Sequence, residues 1–246
     1  MSKSLASAGI KLSILTLGSR LLGLVREMTK ATFLGTSGLA DAFGVAFMIP
    51  NLFRRLFAEN SISVAFIPTF KKYLEENPED KQSTKDFINA TFTLVTFLTT
   101  IVVTIGIIFS PWIVKIFSNG ESPEILVEMS VLTRIMFPYL LVISIAALFQ
   151  GILNGLKIFS PSGFTPILFN LCVIIGTYLL SPYTKNPARA MSYGVLVGGM
   201  IQAGFQLPFV IKNGWGVKFT SLKKTFTNPG TKQVLKLIAP TIMGMA

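Results

Sequence analysis

Between Arg20 and Glu59 the chain places Arg20, Arg26, Glu27, Lys30, Asp41, Arg54, Arg55 and Glu59 in two otherwise apolar segments. Charge at membrane depth is costly and, where it is kept, faces a polar cavity. A guanidinium stays protonated and presents a planar fork of donors that fits two phosphate oxygens at once. Arg20, Arg26 and Arg54 therefore read as a set able to bind a diphosphate. Glu27, Asp41 and Glu59 are candidates to orient these arginines or to carry a proton. Arg55 is a candidate partner for Glu59 one helical turn on. The competing reading is internal ion pairing that only fixes helix packing. The carboxylates do not balance the arginine charge at that depth, which favours an anion site.

The remainder of the chain offers no catalytic set. It has no histidine, and its one cysteine, Cys172, lies in an apolar run. No metal-ligand cluster or Walker-type phosphate loop is present. The expectation is a transporter rather than an enzyme, with no metal or other cofactor. A net charge of +11 in a soluble protein would point to nucleic acid. Here 51% of residues are hydrophobic and 13% charged, against about 25% charged in soluble domains. With a mean hydropathy of +0.62, the chain reads as an integral membrane protein with no nucleic-acid partner.

Uncharged runs cover 87–114, 135–156, 158–184 and 190–211. Each is long enough for a spanning helix, which needs about 20 residues, and backbone in lipid must bond to itself. The expected helices are 7–34, 39–70, 86–117, 124–156, 162–180 and 188–211. The fold class is thus an all-α integral membrane protein, a six-helix transmembrane lobe over 1–211. A basic linker follows at 212–231, then the start of a seventh, truncated helix at 232–246. Pro50 is expected to loosen helix 2 near Asn51, and the charged stretch 71–85 to be a loop in water. Arg20 and Arg26 interrupt what would otherwise resemble a signal peptide, so helix 1 reads as uncleaved.

The short turn at 35–38 makes helices 1 and 2 antiparallel neighbours. Counting from the turn, Arg26 and Glu27 lie roughly 15 Å deep, and Arg20 and Arg54 lie level at roughly 25 Å. Arg20 and Glu27 share a face, and Arg26 points elsewhere unless the helix bends near Gly23. Asn89, Gln150, Asn154, Asn170, Gln202 and Gln206 read as interhelical hydrogen-bonding groups. Lysines gather at the N-terminus, at 71–85 and along the linker, with fewer basic residues at Lys30, Lys115, Arg134, Lys185 and Arg189. The positive-inside bias then puts the N-terminus in the cytoplasm, and Trp112 and Tyr183 at the outer interface.

The segments SRLLGLVRE, ADAF, IPNLFRRLFAE and VAFIPTF occur in that order, followed by FPYLLVIS, ILNGLKIFS, FTPILFN and LIAPTIMG. In these the chain resembles the MurJ/MviN family of lipid II flippases, within the MOP exporter superfamily. The resemblance covers the whole chain, and the chain about half of a typical member. It implies two six-helix lobes around a cationic cavity, plus two further helices for the lipid tail, of which this chain is the first lobe. It implies a multi-pass protein of the bacterial cytoplasmic (inner) membrane, serving peptidoglycan biosynthesis. The implied partners are lipid II, membrane lipids and a second lobe in the same or another chain. The family's key arginines match Arg20, Arg26 and Arg54. Its helix 1 acidic position matches Glu27, and Asp41 and Glu59 match further polar positions. Alternatives are another MOP exporter of a polyprenyl-linked glycan, or a non-transporting scaffold that needs a partner.

Overall fold

The chain folds as helices gathered around one of them, Pro123–Gly155, against which several of the others pack. In a computed structural model, residues 2–55, 62–76, 79–118 and 120–243 are described. In chain order the helices are α1 (Ser2–Leu34), α2 (Gly38–Arg54), α3 (Ile67–Glu76), α4 (Lys81–Ile108), α5 (Ser110–Phe117), α6 (Pro123–Gly155), α7 (Ser160–Leu180), α8 (Pro187–Lys212), α9 (Leu222–Thr227) and α10 (Pro229–Met243). A π-helical turn, Ile62–Phe66, precedes α3, and a 3-10 turn, Ser181–Tyr183, extends α7. No strand occurs among the described residues.

α6 is the central post. The Ser122 hydroxyl accepts from the Ile125 N–H, and Pro123 stands in the first turn, where its missing donor costs nothing. Its apolar residues run all round the helix, as suits a buried one. α2, α4, α5 and α8 pack against it; α7 packs along α8, and α1 along α7. The α7–α8 contact is close because it uses glycine. A Cβ on Gly194 would stand 3.0 Å from the Val173 Cα and 3.2 Å from the Cys172 and Val173 carbonyl oxygens. Where α6 and α8 begin, the Glu128 carboxylate takes two hydrogen bonds of 2.7 Å from Arg189 and one of 2.9 Å from Asn186. Arg189, expected as an outer-side charge, is the cation of this clamp.

Two apolar clusters fill the interior. One gathers Phe43, Ile49, Met136, Tyr139, Phe169 and Val195; the other gathers Phe66, Phe70, Phe87, Ile152, Val210 and Trp215. Ile143 packs against both, so the seam between them lies halfway along α6. In the second cluster the Tyr73 ring stacks on Phe87 at 4.7 Å.

Several expectations change. Of helix 2, expected over 39–70, the described residues give α2 to Arg54, a π-helical turn at Ile62–Phe66 and then α3. Pro50 has no N–H to give to the Ala46 carbonyl, and in the next position the Asn51 side chain bonds the Phe47 carbonyl at 3.1 Å. Residues 71–76, expected in a loop, continue α3. Helix 3 starts earlier, at Lys81, because Asp80 accepts from the Ser83 N–H; it breaks at Phe109, two residues before Pro111. There Arg134 donates to the Ser110 hydroxyl at 2.8 Å and to the freed Ile107 carbonyl at 3.3 Å. The linker 212–231 contains α9, and α10 starts at Pro229 rather than at 232. Among the described residues, four helices can cross a membrane by length and apolarity alone: α4, α6, α7 with its 3-10 turn, and α8. α1, with its four charges between 20 and 30, and α2, at 17 residues, are not among them.

Candidate functional site

A cavity of about 850 Å³ opens at the seam of the two clusters. α1 contributes Arg26; α2 contributes Phe47, Asn51, Arg54 and Arg55; α6 contributes Tyr139 and Ile143. α7 adds Pro166, Phe169 and Asn170, and α8 adds Gln202. Three lining residues are arginines, and no carboxylate lines it among the described residues. Three guanidinium groups in a mostly apolar wall, one of them paired with Glu27 from outside the lining, attract an anion, and guanidinium favours phosphate or carboxylate geometry.

The arginines are held rather than loose. Arg26 donates through Nη1 to Asn170 Oδ1 at 3.2 Å and through Nη2 to Glu27 Oε1 at 2.7 Å. Its guanidinium also lies 5.9 Å from the Phe47 ring centroid. Asn170 is fixed in turn, its amide donating to the Ser19 carbonyl at 3.1 Å. Arg54 donates through Nε to Asn51 Oδ1 at 3.1 Å, and the same Asn51 amide caps the Phe47 carbonyl. Arg26 and Arg54 thus each spend part of the fork on an asparagine, which orients them without adding negative charge. The Arg26–Glu27 pair is the exception: Glu27 is a little over half exposed and lines a smaller cavity of about 50 Å³ beside Lys30 and Phe43.

The expected residues separate. Arg26 and Arg54 come to one cavity. Arg20 is exposed and is not among the residues lining it. Helices α1 and α2 touch little beyond their turn, since α1 follows α7 and α2 follows α6. The hairpin is therefore open, and equal depth does not make Arg20 and Arg54 neighbours. Arg26, expected to point away, is the α1 arginine that reaches the cavity. Asp41 is exposed in the first turn of α2, where it complements the helix dipole. Glu59, and with it the Arg55–Glu59 pair, lies outside the described residues; Arg55 itself lines the cavity. Asn51 and Asn170 were missed as site residues, although Asn170 does bond between helices as expected. An asparagine three residues before Arg54 was the available signal for Asn51.

The family model described as lipid II flippase MurJ matches residues 30–246. The chain belongs to this family. It is 48% identical to "Probable lipid II flippase MurJ" of Treponema pallidum (strain Nichols), over 99% of the chain and 46% of that protein. It is 35% identical to "Lipid II flippase MurJ" of Burkholderia cenocepacia, over 99% of the chain and 47% of that protein. Among solved structures, "Lipid II flippase MurJ, inward closed conformation" matches 96% of the chain with a TM-score of 0.78 and 27% identity. A MOP superfamily transporter from Pyrococcus furiosus, 14% identical with a TM-score of 0.73, shares the fold. The chain spans about half the length of these relatives.

Proposed function

We propose that the chain forms the N-terminal lobe of a lipid II flippase, and that its arginine cavity binds the pyrophosphate of the lipid-linked cell-wall precursor. The observation that carries this reading is the set Arg26, Arg54 and Arg55 in one cavity whose described lining has no carboxylate, in a chain of this family. The lobe comprises six membrane crossings over 1–211: α1; α2 with the π-turn and α3; α4 with α5; α6; α7; and α8. Residues 212–231 link it to a seventh helix that begins within 232–246. The N-terminus faces the cytoplasm in a multi-pass protein of the inner membrane. A second lobe, in the same or another chain, supplies the opposing wall. Rocking of the two lobes about the bound headgroup carries the precursor to the periplasmic leaflet by alternating access. Arg20, outside the cavity lining, serves as an approach charge; Glu27 and Asp41 are supporting groups.

The test is binding of lipid II by arginine variants of the protein as the cell makes it, with thermal unfolding measured on the same samples. Arg26→Ala and Arg54→Ala should each weaken binding about tenfold, since a charged hydrogen bond contributes about 1.5–3 kcal/mol. The lysine variants should fall between, having charge without the fork. Arg20→Ala should be milder. Folded Arg26→Ala and Arg54→Ala variants that bind normally would overturn the reading; loss of binding only in step with loss of stability would favour a packing role.

A further inference from the structure

Next to the arginine cavity lies a smaller one of about 180 Å³, which shares Arg54, Ile143, Pro166 and Gln202 with it. Its polar wall is Gln150, Ser162, Thr165, Gln202 and Gln206. Gln202 is 8% exposed and Gln206 1%. Both side-chain carbonyl oxygens are buried and accept no hydrogen bond. The Gln206 orientation is anchored: its amide nitrogen donates to the Ala146 carbonyl at 3.3 Å and the Gln202 carbonyl at 3.2 Å. The Ser162 hydroxyl gives its proton to Phe159 O or Asn154 Oδ1, and Thr165 gives its proton to Ser162 O. The wall therefore sets two unpartnered amide oxygens beside the N–H groups of Arg54, Gln150 and Gln202. A buried acceptor left unpaired carries its full desolvation cost, so this wall favours a group that brings hydrogen-bond donors.

A metal cation or an ammonium would also meet acceptors. Arg54 at the rim, and Arg26 and Arg55 beyond it, oppose a positive charge there. Neutral groups that both donate and accept remain: hydroxyl and secondary amide groups. The volume equals about six waters at ~30 Å³ each, space on the scale of one sugar ring and not of a large glycan. We infer that this cavity seats the first sugar of a glycosyl pyrophosphate, its hydroxyl and amide N–H groups donating to Gln202, Gln206, Ser162 and Thr165. The inference rests on the reading that the neighbouring arginines hold the pyrophosphate. The pair of cavities then separates a glycosylated carrier from the bare polyprenyl pyrophosphate.

The experiment compares two probes in lipid nanodiscs: polyprenyl pyrophosphate alone, and polyprenyl pyrophosphate carrying one N-acetylated sugar. Gln202→Met and Gln206→Met should each weaken the glycosylated probe about tenfold and change the bare probe less than about twofold. Thr165→Val keeps the side-chain shape and should give the same split, which covers the case of a glutamine variant that loses thermal stability. Arg54→Ala should weaken both probes. If the arginine variants alter neither probe while the glutamine variants still show the split, the pyrophosphate reading falls and the sugar seat stands. Equal losses on both probes, no loss on the glycosylated probe, or sodium binding that Gln202→Met abolishes would overturn the sugar seat.

Discussion

Asn170 is the residue on which the position of Arg26 depends. It joins α7 to the α1 backbone through Ser19 and to the Arg26 guanidinium through its oxygen. Asn170→Ala removes both bonds, each contributing about 1 kcal/mol, and should weaken binding of a pyrophosphate-linked lipid roughly fivefold to tenfold. Asn170→Asp still accepts from Arg26, yet adds a carboxylate beside it. If the cavity works by uncompensated positive charge, aspartate should be worse than alanine; titration of both variants with the same ligand decides it. An aspartate variant that binds as well as the native protein would show that charge is not what the cavity supplies. At this scale the arginines were legible from residue type, because a guanidinium in an apolar segment must be met by a polar cavity or a counter-charge. Their grouping was not. Depth along a helix follows from counting, but direction around it depends on which neighbour α1 chooses, and α1 chose α7. Gln202 and Gln206 look alike in the sequence to any interhelical amide, and only the contacts of their oxygens single them out.

The helices α7 and α8 hold the floor of both cavities, and their spacing is set by Gly176 and Gly194. Small residues let membrane helices approach until backbones touch. In Gly194→Val the added Cβ alone would fall 3.0 Å from the Val173 Cα, and backbone cannot swing away as a side chain can. Overpacking of this kind costs about 1–3 kcal/mol, so the variant should unfold at a lower temperature in detergent. Gly204→Val, a control on the same helix with nothing within 4 Å of its Cβ, should change little. Equal thermal stability of the two variants would show that α7 and α8 do not need this contact. Long apolar runs announced α4, α6, α7 and α8, because only helices keep such backbone satisfied in lipid. The interruptions were harder to read. Pro50 announced a disturbance, but not the π-turn at Ile62–Phe66 or α3, whose Phe66 and Phe70 pack on Phe87 and Trp215, distant in the sequence. Charge in 71–85 suggested water, and water does not prevent α3 from continuing to Glu76.

At the scale of the whole molecule, the direction in which the helices run fixes where the cavities open. α4 and α8 run in opposite directions along α6, so Lys81, which begins α4, and Lys185, just before α8, belong to opposite ends. Both are exposed. Lysines concentrate at the Lys81 end, in α3, in the start of α4 and in 212–236, whereas the Lys185 end carries Trp112 and Tyr183, 71% and 86% exposed. Basic residues stay on the cytoplasmic side, and aromatic residues favour an interface. The expected orientation therefore has Lys81 inside and Lys185 outside. Cys172 is the single cysteine, so Cys172→Ala gives a clean background for Lys81→Cys and Lys185→Cys. A thiol reagent that cannot cross the membrane should label position 185 in intact cells, and position 81 only after the membrane is opened. The reverse pattern would place Lys85 and the linker lysines outside, against the charge bias. It would also make the arginine cavity, which lies toward the α2 C-terminus, meet its ligand from the periplasmic leaflet first, and the direction of transport proposed above would have to be inverted.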